Sequence, residues 1–114
     1  MRKDTKARAI PQKVKLAVAA RDSIDGWPCC LACGQPAPVY NSTAFSCAHF
    51  IRRSQGGLGI PENLLTLCPD CHAKYDGNAP SKDGEREQMR QYFREYLQCK
   101  YPDWDESKLV YRKE

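Results

Sequence analysis

The sequence predicts a small α+β domain in which two short strands and a helix are clamped by four cysteines and flanked by an N-terminal and a C-terminal helix. Two observations lead there. CLACG and CPDC each carry a pair of cysteines two residues apart, Cys30 with Cys33 and Cys68 with Cys71. Between the pairs, SCAHFI and NLLTL read as short strands on either side of a glycine-containing loop, RRSQGGLGIPEN.

Composition agrees with one compact unit. The chain has 114 residues, 41% hydrophobic and 28% charged, which excludes collagenous and disordered classes. Its apolar runs are too short to span a membrane. The opening MRKDTKARAIPQK is charged and lacks the apolar stretch of a secretory signal, so the expectation is a cytoplasmic protein with reduced thiols. The net charge of +4 is concentrated near the start: Arg2, Lys3, Lys6, Arg8, Lys13, Lys15 and Arg21 face only Asp4. That run reads either as a solvated face or as an electrostatic arm for phosphates. Residues 1–10 are expected to form a basic flexible arm and residues 11–114 a single domain, with a core about 28–77 and a C-terminal helix and tail over 81–114.

The elements follow from local pattern. Pro11 opens a helical stretch, PQKVKLAVAARD, with Val14, Ala17, Val18 and Arg21 on one stripe. STAFSCAHFI alternates as a strand, placing Phe45, Cys47, His49 and Ile51 on one face and Ala44, Ser46, Ala48 and Phe50 on the other. CPDCHAKYD reads as a turn running into a helix. Ser81 is a candidate cap for the last helix, whose Met89, Tyr92, Phe93, Tyr96 and Leu97 recur at the spacing of an apolar stripe. Trp104, Leu109, Val110 and Tyr111 are expected to anchor the tail.

Seven cysteines, an odd number in a reducing setting, point to metal rather than disulfides. Two pairs at this spacing can close a tetrahedral site, and Cys30, Cys33, Cys68 and Cys71 are the expected ligands of a structural Zn²⁺. Cys29 could replace Cys30, but CLACG gives the usual gap. Cys47 and Cys99 fall on apolar stripes and read as buried thiols. The stretch between the pairs is much longer than the roughly 15–20 residues of a simple zinc ribbon, so zinc would pin both ends of a strand–strand–helix unit.

The remaining polar residues are His49 on the first strand, Asn63 before the second, His72 beside Cys71, and Asp76 one helical turn later. His72 and Asp76 share a helix face and could together hold a divalent cation. A lone histidine such as His49 is ordinarily a core residue, and its role depends on these neighbours.

CLACG followed by AHFIRRSQGGLGIPENLLTLCPDCHAKYD resembles the zinc-containing ββα-metal branch of the HNH endonucleases, with His49, Asn63 and His72 in the three named positions. The whole chain resembles small HNH proteins of tailed phages and prophages. The resemblance implies that His49 is a general base, that Asn63 ties the loop to the strand, and that His72 and Asp76 bind a catalytic Mg²⁺ or Mn²⁺. It further implies that Arg52 and Arg53 hold backbone phosphates. The implied substrate is double-stranded DNA in a bacterial host cell, with phage terminase or packaging proteins as candidate partners and no membrane role. The sequence departs from the family at Ala48, where many members carry a metal ligand. The alternative is therefore a non-catalytic zinc-stabilised module that binds DNA or protein.

Overall fold

A computed structural model describes residues 10–38 and 45–111. In chain order the elements are helix α1 (Gln12–Arg21), strand β1 (Ser46–His49), strand β2 (Leu64–Leu67), helix α2 (Pro69–Asp76) and helix α3 (Glu85–Lys100). Short 3-10 turns lie at Arg53–Gln55, Pro61–Asn63 and Glu106–Lys108. The basic arm lies outside the described residues except for Ile10, as do Ser42, Thr43 and Ala44 of the first expected strand.

The strands pair antiparallel, with Ser46 opposite Leu67, Cys47 opposite Thr66, Ala48 opposite Leu65 and His49 opposite Leu64. Two strands of four residues are marginal alone. Here every residue of β2 is buried, because α1 packs against the strands together with α2. Ala48, Phe50, Leu65 and Leu67 join Tyr75 of α2 and Phe93 and Leu97 of α3 in one core. Cys47 and His49 are half-buried and Ala48 is fully buried, as alternation requires. Phe45 and Ile51, expected on the face of Cys47 and His49, are buried as well, since both lie outside the paired segment.

Helix α1 departs from its expected stripe. Val18 and Ala19 are its buried residues, Val14 is half-buried and Ala17 is exposed. The helix docks by its last turn, where Arg21 and Asp22 make the attachments. The Asp22 carboxylate accepts from Arg21 Nε at 2.7 Å, from the Thr66 backbone N–H at 2.9 Å and from the Tyr96 hydroxyl at 2.6 Å. Arg21 donates to the carbonyls of Leu64 at 2.6 Å and Pro61 at 2.8 Å. Burial alone would lower the Arg21 pKa, but Asp22 and Tyr101 more than offset it and hold the guanidinium charged. Arg21 is thus a structural hub and not part of a phosphate-binding run.

Helix α2 starts on Cys68, whose sulfur accepts the Cys71 N–H, with Pro69 in its first turn. Gly77, in the left-handed conformation at φ 81°, ends it. Helix α3 begins at Glu85 behind Gly84, not at Ser81. Gly84 has φ 79°, which breaks the helical run, and the Glu85 carboxylate takes the Lys82 N–H at 2.9 Å. Phe93 and Leu97 are buried on α3, whereas Tyr92 is half exposed. The tail packs through Trp104, which stacks edge-on against Phe50 at 5.8 Å and donates to the Glu62 carbonyl. Leu109 is buried, Val110 bridges to Gly57, and the Tyr111 N–H reaches the Gly56 carbonyl at 2.7 Å.

Gly57 is a steric requirement. A Cβ there would fall 1.7 Å from the Ile51 carbonyl oxygen, so the loop after β1 can close on the strand end only at glycine.

Candidate functional site

The two cysteine pairs meet as expected. One ligand atom from each of Cys30, Cys33, Cys68 and Cys71 lies within 4.8 Å of all the others, with Cys33 Sγ and Cys68 Sγ 3.9 Å apart. A tetrahedron with Zn–S of about 2.3 Å has edges of about 3.8 Å, so the cluster fits zinc. The two pairs are built alike: the Cys33 N–H points to Cys30 Sγ and the Cys71 N–H to Cys68 Sγ, each at 3.5 Å. The Leu31 N–H also reaches the Thr66 carbonyl, which seats the first pair on β2.

The thiols do not titrate alike. Burial works to raise the Cys30 pKa, but backbone groups of Cys68, Cys33 and Ala32 outweigh it and hold it below its usual value. Burial pushes Cys71 up, and the neighbouring cysteine sulfurs push it further. Four sulfurs this close cannot all carry charge without a cation among them. Cys29 stands outside the cluster, its sulfur 3.4 Å from the Trp27 carbonyl, and Cys30 is the cluster member. Cys99, expected to be buried, is exposed, because it lies off the Phe93–Leu97 face of α3.

His72 follows Cys71 on α2, one step round the helix from the thiolates. Its Nε2 lies 3.0 Å from Asp76 Oδ2, with both side chains about 30% exposed (28% and 31%). Its Nδ1 lies 2.6 Å from the Ser46 hydroxyl on β1. Ser46 Oγ also lies 3.1 Å from the Leu67 carbonyl. A hydroxyl has one proton, and a carbonyl can only accept. Both contacts are satisfied together only if Ser46 donates to Leu67 and accepts from a protonated Nδ1. Nε2 then faces a carboxylate oxygen at 3.0 Å, an approach that either a proton or a metal ion between the two atoms satisfies. An imidazole nitrogen beside a carboxylate is a donor set suited to Mn²⁺ and compatible with Mg²⁺. Among the described residues no further histidine, cysteine or acidic side chain joins the pair as a ligand group.

His49 is the last residue of β1, half-buried and opposite Leu64. Ala48 before it is fully buried in the core, so no ligand comes from that position. Asn63 is also fully buried. Its Oδ1 accepts the Ile51 N–H at 2.8 Å, and its Nδ2 donates to the carbonyls of Leu58 at 2.9 Å and Ile51 at 3.2 Å. The Phe50 N–H reaches the Asn63 carbonyl at 2.7 Å. Asn63 therefore locks the chain just past His49 to the entrance of β2. Arg52 is half-buried, with Nη2 3.5 Å from the Tyr75 carbonyl, and Arg53 is exposed in the following turn. The sequence pattern does not single out Ser46. Its only signal is its place on the same strand face as Ala48, two residues before it.

A strand–strand–helix unit with a four-cysteine clamp and a His–Asp pair on its helix defines a small α+β domain whose cysteine cluster is consistent with a zinc site. Residues 30–76 match the model of the HNH endonuclease family, and this stretch is an HNH endonuclease family domain. Domains of this family are generally nucleases and bind nucleic acid. A curated relative, Anaredoxin of Nostoc sp., is 52% identical over 27 residues, which is 24% of this chain and 36% of that protein. The chain thus spans about a third of that relative's length. Among the described residues no helix is long and apolar enough to cross a membrane.

Proposed function

We propose that this chain is a metal-dependent DNA endonuclease in which His49 is the general base and His72 and Asp76 hold the catalytic divalent ion. The observation that carries the reading is the His72–Asp76 pair, with the ring held through Nδ1 by Ser46 and Nε2 set against a carboxylate within the HNH domain. His49 takes the proton from the attacking water, for which an imidazole with a pKa near about 6.5 is suited at physiological pH. Asn63 holds the segment after His49 and so fixes where the base sits. Arg52 and Arg53, just past the base, hold backbone phosphates. When bound, Mg²⁺ or Mn²⁺ supplies positive charge to the scissile phosphate and to the departing 3′ oxygen. The products carry 5′-phosphate and 3′-hydroxyl ends.

Two protein ligands make for weak ion affinity, and the imidazole favours Mn²⁺ over Mg²⁺. The setting we propose is phage-type genome processing or packaging, in partnership with packaging proteins, which rests on the resemblance of the whole chain to small phage HNH proteins. A second reading, a zinc-stabilised binding module without catalysis, is favoured by one observation, the buried methyl of Ala48 where a metal ligand could stand.

The test is incubation of end-labelled duplex DNA with the zinc-loaded protein and added Mg²⁺ or Mn²⁺. Metal-dependent nicks or breaks with ligatable ends support the nuclease. Binding without cleavage under every ion supports the module.

A further inference from the structure

Arg86, Arg90 and Arg94 recur one helical turn apart on α3, beyond the HNH stretch. They are not equally engaged. Arg94 is held by Glu106 at 2.9 Å and by Gln91 at 2.6 Å. Arg90 shares the other Glu106 oxygen at a longer 3.5 Å, and its guanidinium lies over the Phe50 ring at 5.2 Å. Arg86 has no carboxylate partner among the described residues.

Arg86 instead turns toward Arg52. A Cβ placed on Gly77 would lie 3.0 Å from Arg86 Nη1 and 3.7 Å from Arg52 Nη2. Two guanidinium groups from distant parts of the chain therefore meet over bare glycine backbone. They open onto a pocket of about 180 Å³ lined by Phe50, Arg52, Tyr75, Arg86, Glu87 and Arg90. Three guanidinium groups face one carboxylate there. Converging like charges are unfavourable until an anion sits between them. The guanidinium fork matches phosphate oxygens in pairs, and the stacking of Arg90 on Phe50 holds it ready. Two walls of the pocket, Phe50 and Tyr75, are the chain neighbours of His49 and Asp76.

We infer that Arg52, Arg86 and Arg90 form a phosphate cradle that binds a DNA backbone phosphodiester next to the one being cut. This rests on the nuclease reading above, and it extends the DNA-binding face onto α3. Gly77 then has two roles: it ends α2, and it leaves room for the arginines.

The test uses the full zinc-loaded chain and a fluorescein-labelled duplex, with no catalytic ion added. Affinity is measured by anisotropy across a range of KCl concentrations for wild type, Arg86→Ala and Arg86→Ala/Arg90→Ala, with thermal melts to confirm folding. The slope of log affinity against log salt is expected to become shallower by ~0.9 for each phosphate that the variant no longer neutralises. Arg86 is exposed, so the single variant decides the matter if the double variant folds poorly. Wild-type binding with an unchanged slope in Arg86→Ala overturns the cradle and leaves the nuclease reading standing. No duplex binding by the wild type overturns both. A parallel titration with inorganic phosphate follows the arginine Nε–H resonances. If phosphate shifts Arg86 while the duplex slope stays unchanged, the pocket takes small anions and the duplex assignment fails.

Discussion

The Ser46 hydroxyl on β1 lies 2.6 Å from His72 Nδ1 on α2, and the same hydroxyl reaches the Leu67 carbonyl. These two bonds join the strand to the helix at the residue that faces Asp76. They also call for a proton on His72 Nδ1. Partners of this kind orient a metal-binding imidazole and keep its other nitrogen available, and losing one typically costs about 10–100-fold in ion affinity. Ser46→Ala is therefore expected to weaken Mn²⁺ binding by about that range, whereas Ser46→Thr keeps it. ¹⁵N spectra of the His72 ring should report an Nδ1–H tautomer in wild type and its loss in Ser46→Ala. An Nε2–H tautomer in the metal-free wild type would contradict the assignment.

The cysteine clamp joins the segment before β1 to the end of β2 and the start of α2. Zinc binding at such sites is worth on the order of 10 kcal/mol, comparable with the whole stability of a domain this size. Cys68→Ser, or zinc removal by a strong chelator, is expected to unfold the strand–strand–helix unit. Far-ultraviolet circular dichroism with a parallel zinc assay checks it. Retention of a native spectrum at zero zinc would count against a structural metal.

Asp22 holds α1, β2 and α3 together through bonds to Arg21, Thr66 and Tyr96 while almost fully buried. Removing one side of a buried ion pair leaves an uncompensated charge, at a cost of roughly 3–5 kcal/mol. Asp22→Ala is expected to lose stability in that range by urea denaturation. A loss below about 1 kcal/mol, the scale of a surface ion pair, would mean the network is solvated.

Cys47 is half-buried on β1, and burial pushes its thiol from 9.0 up to about 11. Because its folded value is raised, the neutral thiol is favoured in the fold. This contribution to stability is complete below pH 9 and declines as the pH rises toward 11. The thiolate needed for alkylation is scarce at pH 8. With zinc bound, iodoacetamide at pH 8 is expected to modify the exposed Cys99 first and to reach Cys47 only at much higher pH. Peptide mass mapping follows both, and equal rates at pH 8 would contradict the burial.

The cysteine pairs, the two strands and the helix after them can be read from spacing and alternation, because zinc geometry and strand pleat impose fixed periods. The Asn63 bonds fit the place expected for it between loop and strand. Other features depend on tertiary contacts that carry no local pattern. Arg21 reads in sequence as one more basic residue, yet Asp22 and carbonyls of β2 and the preceding turn draw it inside. Cys99 matches a stripe in sequence but points outward on α3. Ser81 is a reasonable cap in composition, while Gly84 with its left-handed backbone fixes the true start. Ser46 has only its strand-face position as a signal and Arg86 has none, since each matters through a residue far away in the chain.

The most direct test is supercoiled plasmid cleavage at pH 7.5–8 by wild type and His49→Ala, with matched zinc content and folding. Each protein is assayed without added ion, with Mg²⁺ and with Mn²⁺. The wild type is expected to nick or linearise the plasmid only with added ion, and His49→Ala to lose at least the roughly 10²–10⁴-fold that a general base contributes. Equal cleavage by both proteins would remove His49 from the chemistry. No cleavage by either, with duplex binding intact, would leave a zinc-stabilised binding module in place of a nuclease.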